Sequence, residues 1–228
     1  MPTKTVEPRP PGPVKLFHPP TRPACGGNRV WLPPDPEGWV VEPKYNGHRC
    51  ILDCDNQVLY NRQLELYSYY THKIPLTTDL ARQARNKYVK YLDLEGMGSH
   101  RSTSHRNMAI LFDVYGVDST TQERRQVLLT LGYPVHDPFT EAPLRSMSMG
   151  SDWNDWNYSS YIYVVPQYPA TCAEELFHTL MLMPGDVYEG VVLKQLDNSY
   201  RNNRWVKFRF DQYKQSGRPL PRTPGLPE

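Results

Sequence analysis

Lys44 lies in a short segment whose composition predicts a change from strand to turn. The segment reads Glu42-Pro43-Lys44-Tyr45-Asn46-Gly47, and Asn-Gly is a dipeptide typical of tight turns. We therefore expect Lys44 to stand just past one strand, in a turn that closes before the next strand begins at His48. A lysine held at the mouth of a sheet can act as a nucleophile if its surroundings favour the neutral amine. Taken alone, the segment is more typical of an exposed hairpin lysine.

Two carboxylates, Asp93 and Glu95, occur two residues apart in an otherwise apolar segment that begins at Tyr91. In a strand, residues i and i+2 face the same side, so we expect these two acidic groups to lie together. A second apolar strand opens with Glu189. Buried carboxylates require a cation or hydrogen-bond donors, and Mg²⁺ prefers such hard oxygen ligands.

The segment from Trp205 to Phe210 alternates between two kinds of side chain. One face carries Val206, Phe208 and Phe210, and the other carries Trp205, Lys207 and Arg209. The first face predicts core packing. The neighbouring cations on the second face repel each other unless an anion lies between them, and phosphate is the obvious candidate. A solvated strand face is the simpler interpretation of this segment alone.

The composition argues against several other classes of protein. The 228 residues are 39% hydrophobic and 22% charged, which is enough apolar material for a core. The formal net charge of +2 does not by itself indicate a nucleic-acid partner. No apolar run reaches the roughly 18–20 residues of a membrane span, and the first residues lack the apolar region of a secretory signal. The four cysteines lack the spacing of a zinc site and are expected to be reduced thiols.

The remaining patterns predict an α+β fold that positions the candidate residues. Helices are expected after Thr77 or Thr78, after Thr120 with Glu123, and after Thr171 with Glu174, because these residues match capping patterns. Segments rich in β-branched and aromatic residues predict strands at 39–42, 48–54, 57–61, 88–95, 108–114, 161–165, 187–194 and 204–210. Short gaps favour antiparallel hairpins. No glycine-rich phosphate loop occurs, so a nucleotide would be held in another way.

Prolines mark the two ends of the chain. Of the 23 prolines, eleven lie in residues 1–36 and four in the last ten. Because proline fixes φ and removes a backbone donor, these ends are expected to be neither ordinary helix nor central strand. We predict a basic, extended arm over residues 1–36, one compact domain over residues 37–211 and a proline-rich tail over residues 212–228.

In this order, the segments resemble the motifs of the covalent nucleotidyltransferases, which include ATP-dependent DNA ligases, RNA ligases and mRNA capping enzymes. The matching segments are 44–47 with Arg49 (KxDG), Arg62 after the next strand, 93–95 (DGE), 111–114 with 122–125 (aromatic-Asp and an arginine-rich helix), 189–194 (EGVVLK) and 205–209 (WxKxK). The resemblance spans residues 39–210. It implies the antiparallel-sheet nucleotidyltransferase, or adenylation, domain of the ligase and capping-enzyme type.

The resemblance also implies a catalytic set. Lys44 would attack the α-phosphate of ATP, leaving lysyl-AMP and releasing pyrophosphate. The neutral amine that this requires would be favoured by the positive charges of Lys207, Arg209 and a metal. Lys207 and Arg209 would also bind the α-phosphate and stabilise its developing charge. Glu95 and Glu189 would support Mg²⁺, or Mn²⁺, or the ribose.

Further binding roles follow from the same resemblance. Phe112 would stack on the adenine, and Glu42 would help to read its edge. Arg49 and Arg62 would contact the ribose or phosphates, including the 5′-phosphate of the strand to be joined. The residues expected to contact DNA are Arg62, Arg201, Arg204, Lys15 and Arg22.

The chain departs from the family's pattern at several points. Asn46 replaces the usual Asp, Leu94 replaces the usual Gly, and Arg209 replaces the second lysine. Glu189 and Lys194 are five residues apart and face opposite sides of a regular strand, so both reach one site only through a β-bulge. We therefore assign Glu189, rather than Lys194, to the site. Only 19 residues follow Arg209, which are too few for the OB-fold domain that the family places there.

The leading interpretation is a minimal ATP-dependent DNA ligase that seals a 5′-phosphate to a 3′-hydroxyl in nicked duplex DNA. An RNA ligase of the same superfamily is the first alternative, and Asn46 favours it mildly. A non-catalytic nucleic-acid-binding relic of a ligase is the second. We expect a cytoplasmic monomer with no membrane partner, and so small a ligase suggests a viral or phage origin.

Overall fold

The structure is a computed structural model that describes residues 24–25, 32–67, 77–97, 109–115, 119–139, 162–183, 187–200 and 205–215. In chain order, its strands are β1 (Ala24–Cys25), β2 (Trp39–Tyr45), β3 (His48–Asp53), β4 (Val58–Asn61), β5 (Tyr91–Gly96), β6 (Ala109–Tyr115), β7 (Ile162–Val164), β8 (Tyr168–Pro169), β9 (Tyr188–Gln195) and β10 (Trp205–Arg209). Its α-helices are α1 (Thr77–Arg85), α2 (Thr121–Leu129), α3 (Ala173–Leu182) and α4 (Phe210–Gln215).

The strands form two five-stranded sheets. The first has the order β1-β10-β9-β2-β8, and the second has the order β4-β3-β5-β6-β7. Neighbouring strands run antiparallel except for β1 beside β10 and β6 beside β7. The architecture is therefore the α+β, largely antiparallel arrangement that the sequence predicts.

The helices cover the outer faces of the sheets. On α1, the residues Leu80, Ala81 and Ala84 are fully buried and pack with residues of β3 and β5. On α3, the expected core residues Leu176, Phe177 and Leu180 are buried against the first sheet, with Met181 partly buried beside them. None of the helices in the described ranges has the length and apolar character needed to cross a membrane.

The inner faces of the two sheets meet in smaller mixed clusters. One cluster joins Ile51 and Tyr60 of the second sheet to Trp205 of the first. Another joins Tyr45 of the first sheet to Ile110 of the second. Because these contacts fix the two sheets against each other, side chains from both sheets can line a common cleft.

The helix-capping predictions have different outcomes. Thr120 and Glu123 form the expected reciprocal capping box at the start of α2. The capping box predicted for Thr171 and Glu174 is wrong. The chain enters α3 through a 3₁₀ turn, Ala170–Cys172, so Thr171 lies inside that turn and Cys172 occupies the cap position without a side-chain bond.

The predicted strand positions are correct to within a few residues, with one change at the chain's end. Phe210 is the first residue of α4 rather than the last of a strand. Its ring still packs against Phe177, with 5.0 Å between the ring centres, so the expected core role holds. The helix α4 runs past the boundary predicted at residue 212, and β1 lies within the predicted arm. The division into arm, domain and tail stays a prediction.

Candidate active site

Lys44 lies at the junction of the two sheets. It belongs to β2, which runs on to Tyr45, so the prediction that it stands past the strand is wrong. Nor do β2 and β3 form a hairpin, since β2 joins the first sheet and β3 joins the second. The turn at Asn46-Gly47 is nevertheless tight. A Cβ on Gly47 would lie 2.6 Å from the carbonyl oxygen of Gly96, so only glycine allows the two chain segments to approach this closely.

A β-bulge at Glu189 turns this side chain towards Lys44. Lys44 is paired with Gly190 and Tyr45 with Tyr188, which leaves Glu189 as the extra residue of β9. Gly190 has a φ of +153°, and any Cβ there would overlap the carbonyl oxygen of Phe208. The bulge is the feature that a shared site for Glu189 and Lys194 requires.

A cleft of about 680 Å³ lies between the sheets. It is lined by every nucleotide-binding, catalytic and metal residue that the sequence predicts: Glu42, Lys44, Arg49, Arg62, Glu95, Phe112, Glu189, Lys207 and Arg209. These residues come from six strands and one loop, so the fold brings together motifs far apart in sequence. The predicted DNA contacts Lys15, Arg22, Arg201 and Arg204 lie outside the described residues.

Glu189 joins two of the cations in the cleft. The Lys44 ammonium donates to Glu189 Oε1, and Arg209 Nη2 lies 3.3 Å from Glu189 Oε2. The Lys44 and Glu189 side chains each retain 22% of their exposure, so solvent and ligands can reach them. Lys207 lies on the same face of β10 as Arg209 and also lines the cleft. A compact group of three cations and one carboxylate is suited to bind an anion beside an amine.

Glu95 has an unusual protonation equilibrium. Its pKa is raised to about 7, chiefly by burial; the cations Lys44 and Arg49 oppose the rise, and the charges of Glu189 and Asp93 add to it. A carboxyl group of this kind is half protonated near neutral pH. A divalent cation would favour its ionised form, so Glu95 and Glu189 fit the two carboxylates with which Mg²⁺ is commonly bound beside substrate phosphates.

Arg49 is held in place by Asp93 and Tyr200. Its Nε donates to Asp93 Oδ1 at 2.8 Å and its Nη2 to Asp93 Oδ2, while Nη2 lies 3.1 Å from the Tyr200 hydroxyl. The same hydroxyl donates to Asp93 Oδ2 at 2.7 Å. Burial lowers the pKa of Arg49, but the charge and hydrogen bond of Asp93, together with Tyr200 and Glu95, outweigh it, and the pKa lies above the ordinary value. Arg49 therefore remains a fixed cation at the wall of the cleft.

The cleft also contains a buried ion pair between Glu42 and Lys194. Lys194 is 1% exposed, lies 2.8 Å from Glu42 Oε2 and donates to the Phe112 carbonyl at 2.8 Å. Gln167 donates to the other oxygen, Glu42 Oε1, at 2.7 Å. Lys194, which the sequence analysis does not assign to the site, therefore lines the cleft, because the bulge at Glu189 changes the side on which the rest of β9 points.

Trp205 adds a polar group beside Lys194. Its Nε1 is buried and has no acceptor among the described residues, although the side chain lines the cleft. The ring centre lies 4.3 Å from Lys194 Nζ. An unpaired buried donor in a cleft is a group that a bound ligand can satisfy.

The arginine-rich helix matched in the sequence has a structural role. Arg124 is fully buried and donates through Nε to Asp113 Oδ1 at 2.7 Å. Its Nη1 also donates to the carbonyls of Ser119 and Asn198. This network ties α2 to β6 and to the segment that carries Tyr200, and none of its members lines the cleft.

Sequence reasoning missed Gln167 and Tyr200, and it named Lys194 without assigning it to the site. A lysine inside the apolar segment 191–194 was a usable signal, because such a residue needs a buried partner. Gln167 and Tyr200 lie in segments with no periodic pattern, and their contacts are more than 100 residues away along the chain. Only the tertiary structure brings them to the site.

Comparisons with known proteins identify the fold. No protein-family profile and no curated protein sequence matches the chain. Among solved structures, the chain is similar to one named Pmar-Lig_PreS3, with a TM-score of 0.52 and 14% identity over 77% of this chain and 43% of that one. It is also similar to an archaeal ATP-dependent RNA ligase, with a TM-score of 0.50 and 18% identity over 84% of this chain and 49% of the other. A mycobacterial DNA ligase D complexed with ATP and MES has a TM-score of 0.49 and 20% identity, over 82% of this chain and 59% of that one.

The fold is that of the nucleotidyltransferase domain found in ligase structures, among them the archaeal ATP-dependent RNA ligase. The predicted fold class is thereby confirmed, and the part of the chain that the structure describes contains no OB-fold domain. The chain spans about half the length of the structures to which it is similar.

Proposed function

We propose that this chain is the adenylation domain of an ATP-dependent polynucleotide ligase, and that its substrate is nicked duplex DNA. The observation that carries the proposal is the contact of Lys44 with Glu189 inside a cleft that also contains Arg209 and Lys207. An amine beside two further cations and two carboxylates is the combination that attack on a nucleotide phosphate requires.

In the first step, the neutral Lys44 amine attacks the α-phosphorus of ATP. The Nζ–P bond forms, the bond from the α-phosphorus to the bridging oxygen breaks, and pyrophosphate leaves with that oxygen. Glu189 Oε1 already contacts Nζ and is the nearest acceptor for the proton that the ammonium must lose. Lys207 and Arg209 bind the α-phosphate oxygens and stabilise the charge that develops on them.

The metal belongs beside Glu95 and Glu189. Mg²⁺ or Mn²⁺ supplies positive charge to the phosphate oxygens and is held by few protein carboxylates together with substrate and water. Glu95 and Glu189 are the two cleft carboxylates whose charges act on each other. A divalent cation bound beside them would offset the repulsion between these two charges.

The nucleotide base belongs beside the buried pair of Glu42 and Lys194. Glu42 is fixed there by Lys194 and Gln167, and Phe112 offers a half-buried ring for stacking. A carboxylate accepts hydrogen bonds only, so it can pair with the exocyclic amine of adenine.

In the later steps, the 5′-phosphate attacks the lysyl-AMP phosphorus and the Nζ–P bond breaks, which regenerates Lys44. The 3′-hydroxyl then attacks the 5′-phosphorus, the new phosphodiester forms and AMP leaves. Arg62, exposed at the rim of the cleft, is the cation placed to meet the incoming 5′-phosphate.

The proposal is tested by incubating the protein with ATP labelled in its α-phosphate and with Mg²⁺. We expect a covalent adduct that is stable to denaturation in the wild type and in Lys214→Ala, which changes an exposed lysine on α4, and none in Lys44→Ala. An equal adduct in Lys44→Ala would refute the assignment. No adduct in the wild type would favour a nucleic-acid-binding relic.

An RNA ligase is the second candidate. It is supported by Asn46 in place of the usual Asp and by the likeness to the archaeal RNA ligase. Nicked duplexes with DNA or RNA strands separate the two candidates. Sealing of DNA nicks supports the first choice, and sealing of RNA nicks alone supports the second.

A further inference from the structure

The segment 77–90, which contains α1 and the residues after it, carries a concentration of positive charge. It holds four cations, Arg82, Arg85, Lys87 and Lys90, and one acid, Asp79. Its formal net charge of +3 exceeds the +2 of the entire chain. All four cations are exposed. The small net charge of the molecule therefore conceals a strongly basic region.

The fold directs these cations to one outer surface. Leu80, Ala81, Ala84 and Val89 face inwards and are at most 1% exposed, so the polar side chains between them face outwards. Arg82 forms an ion pair with Asp79 at 2.8 Å, one turn earlier in the helix. We call the surface formed by Arg82, Arg85, Lys87, Tyr88 and Lys90 the α1 basic surface.

Tyr88 lies in the middle of this surface with an unfavourable backbone conformation. Its φ is +61°, and 91% of the residue is exposed. The Tyr88 amide donates to the Arg85 carbonyl at 2.9 Å, and the Val89 amide donates to the Ala84 carbonyl at 3.0 Å. This is the Schellman arrangement at a helix C-terminus, in which the left-handed position usually holds glycine. The chain here keeps a strained tyrosine whose ring does not contribute to the core.

Helix capping explains only part of this arrangement. Arg82 and Arg85 lie in the last turn of α1, where cations interact favourably with the helix dipole. Lys87 and Lys90 follow the helix, and an exposed Tyr88 ring adds nothing to a cap. Cations around an exposed aromatic ring match the contacts made to nucleic-acid backbones, where lysine, arginine and the tyrosine hydroxyl bind phosphate oxygens and the ring packs on a sugar or base.

We propose that the α1 basic surface binds the sugar-phosphate backbone of a polynucleotide outside the joint that is sealed. The inference rests on the proposed function for its choice of partner. β5 begins directly after Lys90 and reaches the cleft at Glu95, and the four residue-to-residue steps from Tyr91 to Glu95 span about 13 Å. The α1 basic surface therefore lies at the end of β5 that is away from the cleft. It contacts the polynucleotide backbone at a distance from the nick, so this contact does not require a nick.

The test measures binding of a fluorescent, continuous DNA duplex by anisotropy over a range of salt concentrations. The triple variant Arg85→Gln/Lys87→Gln/Lys90→Gln is compared with the wild type and with Lys214→Gln, which removes one exposed charge from α4. Removing three phosphate contacts should lower the slope of log K against log salt by about 2.7. Tyr88→Gly should bind several-fold more weakly although its melting temperature is higher than that of the wild type. A continuous RNA duplex and poly-glutamate serve as further probes.

Each outcome bears on the proposal. The proposal is supported if the triple variant binds a duplex more weakly and with a smaller salt slope, while Lys214→Gln binds like the wild type. The duplex that shows this difference, DNA or RNA, identifies the partner. A wild-type slope in the triple variant overturns the proposal, as does an equal loss of poly-glutamate binding, which would indicate a general polyanion surface. Lys87→Gln alone, with an expected slope change of about 0.9, replaces the triple variant if that one unfolds. Lysyl-AMP formation is measured separately, so failure of the ligase proposal is distinguished from failure of this one.

Discussion

Single residues in the cleft are held by partners that restrict them to one orientation. Arg49 shares Asp93 with the buried Tyr200 hydroxyl, and Glu42 is fixed by Lys194 and Gln167. Side chains fixed in this way meet a ligand without first losing conformational freedom. The second layer of contacts is therefore expected to influence the reaction nearly as much as the groups that touch ATP.

Tyr200→Phe tests this expectation. The variant removes the hydroxyl that contacts both Arg49 and Asp93 and leaves the ring in place. We expect the free energy of unfolding to fall by about 1.5 kcal/mol and lysyl-AMP formation to slow by about 10-fold. The matched control is Tyr60→Phe, whose buried hydroxyl has no partner among the described residues. Equal effects of the two variants on the rate would refute a positioning role for Tyr200.

Glu95→Gln tests the raised pKa through stability. Because the pKa of Glu95 is about 7 in the folded protein and 4.5 in its ordinary state, the folded protein binds more protons between these values. Wild-type stability therefore falls as pH rises from 4.5 to 7, and the removal of the carboxyl group abolishes this contribution. Denaturant unfolding should show nearly equal stability at pH 4.5 and a more stable variant at pH 8. Lysyl-AMP formation with Mg²⁺ should decrease in the same variant. A stability difference that does not change with pH would contradict the pKa.

At the scale of elements, the bulge in β9 builds the site. A regular strand would place Glu189 and Lys194 on opposite sides, and the bulge allows both to serve the cleft. It depends on Gly190, whose Cα approaches the backbone of β10 closely enough to exclude a side chain. The strand that carries Lys207 and Arg209 is thereby held against the strand that carries Glu189.

Gly190→Ala should therefore be severely destabilising. The new Cβ would overlap the Phe208 carbonyl oxygen and lie 2.9 Å from its carbon, and backbone atoms cannot rotate away. We expect a loss of about 3 kcal/mol or more in the free energy of unfolding. Gly132→Ala is the control, because Gly132 has a φ of +77° but nothing within 4 Å of an added Cβ. It should lose only about 1–2 kcal/mol. Similar losses in both variants would show that the close approach has no effect.

A substitution at the end of α1 is expected to increase the free energy of unfolding rather than lower it. Tyr88→Gly relieves the left-handed backbone of a non-glycine residue and removes a ring that is 91% exposed. We expect the free energy of unfolding to increase by about 1 kcal/mol. Thermal unfolding measures this directly, and a decrease would show that the ring stabilises the fold.

At the scale of the whole molecule, local sequence patterns predict the secondary-structure elements and the residues of the cleft. They do not predict which strands pair with each other. Alternation along β10 correctly separates the core residues Val206 and Phe208 from the cleft residues Lys207 and Arg209. The turn at Asn46-Gly47 is also visible in the sequence. The sequence does not show that this turn joins two different sheets, because strand pairing depends on contacts distant along the chain. The same limit hides the buried Glu42–Lys194 pair and the role of Tyr200.

The most direct measurement of the central claim is the position of the nucleotide on the protein. After incubation with ATP and Mg²⁺, the protein is digested and its peptides are mapped by mass spectrometry. We expect AMP linked to Lys44 in the peptide that contains Tyr45 and Asn46, because Lys44 is the lysine that contacts Glu189 in the cleft among the residues the structure describes. AMP on a different residue, or no modified peptide at all, would contradict the proposed function.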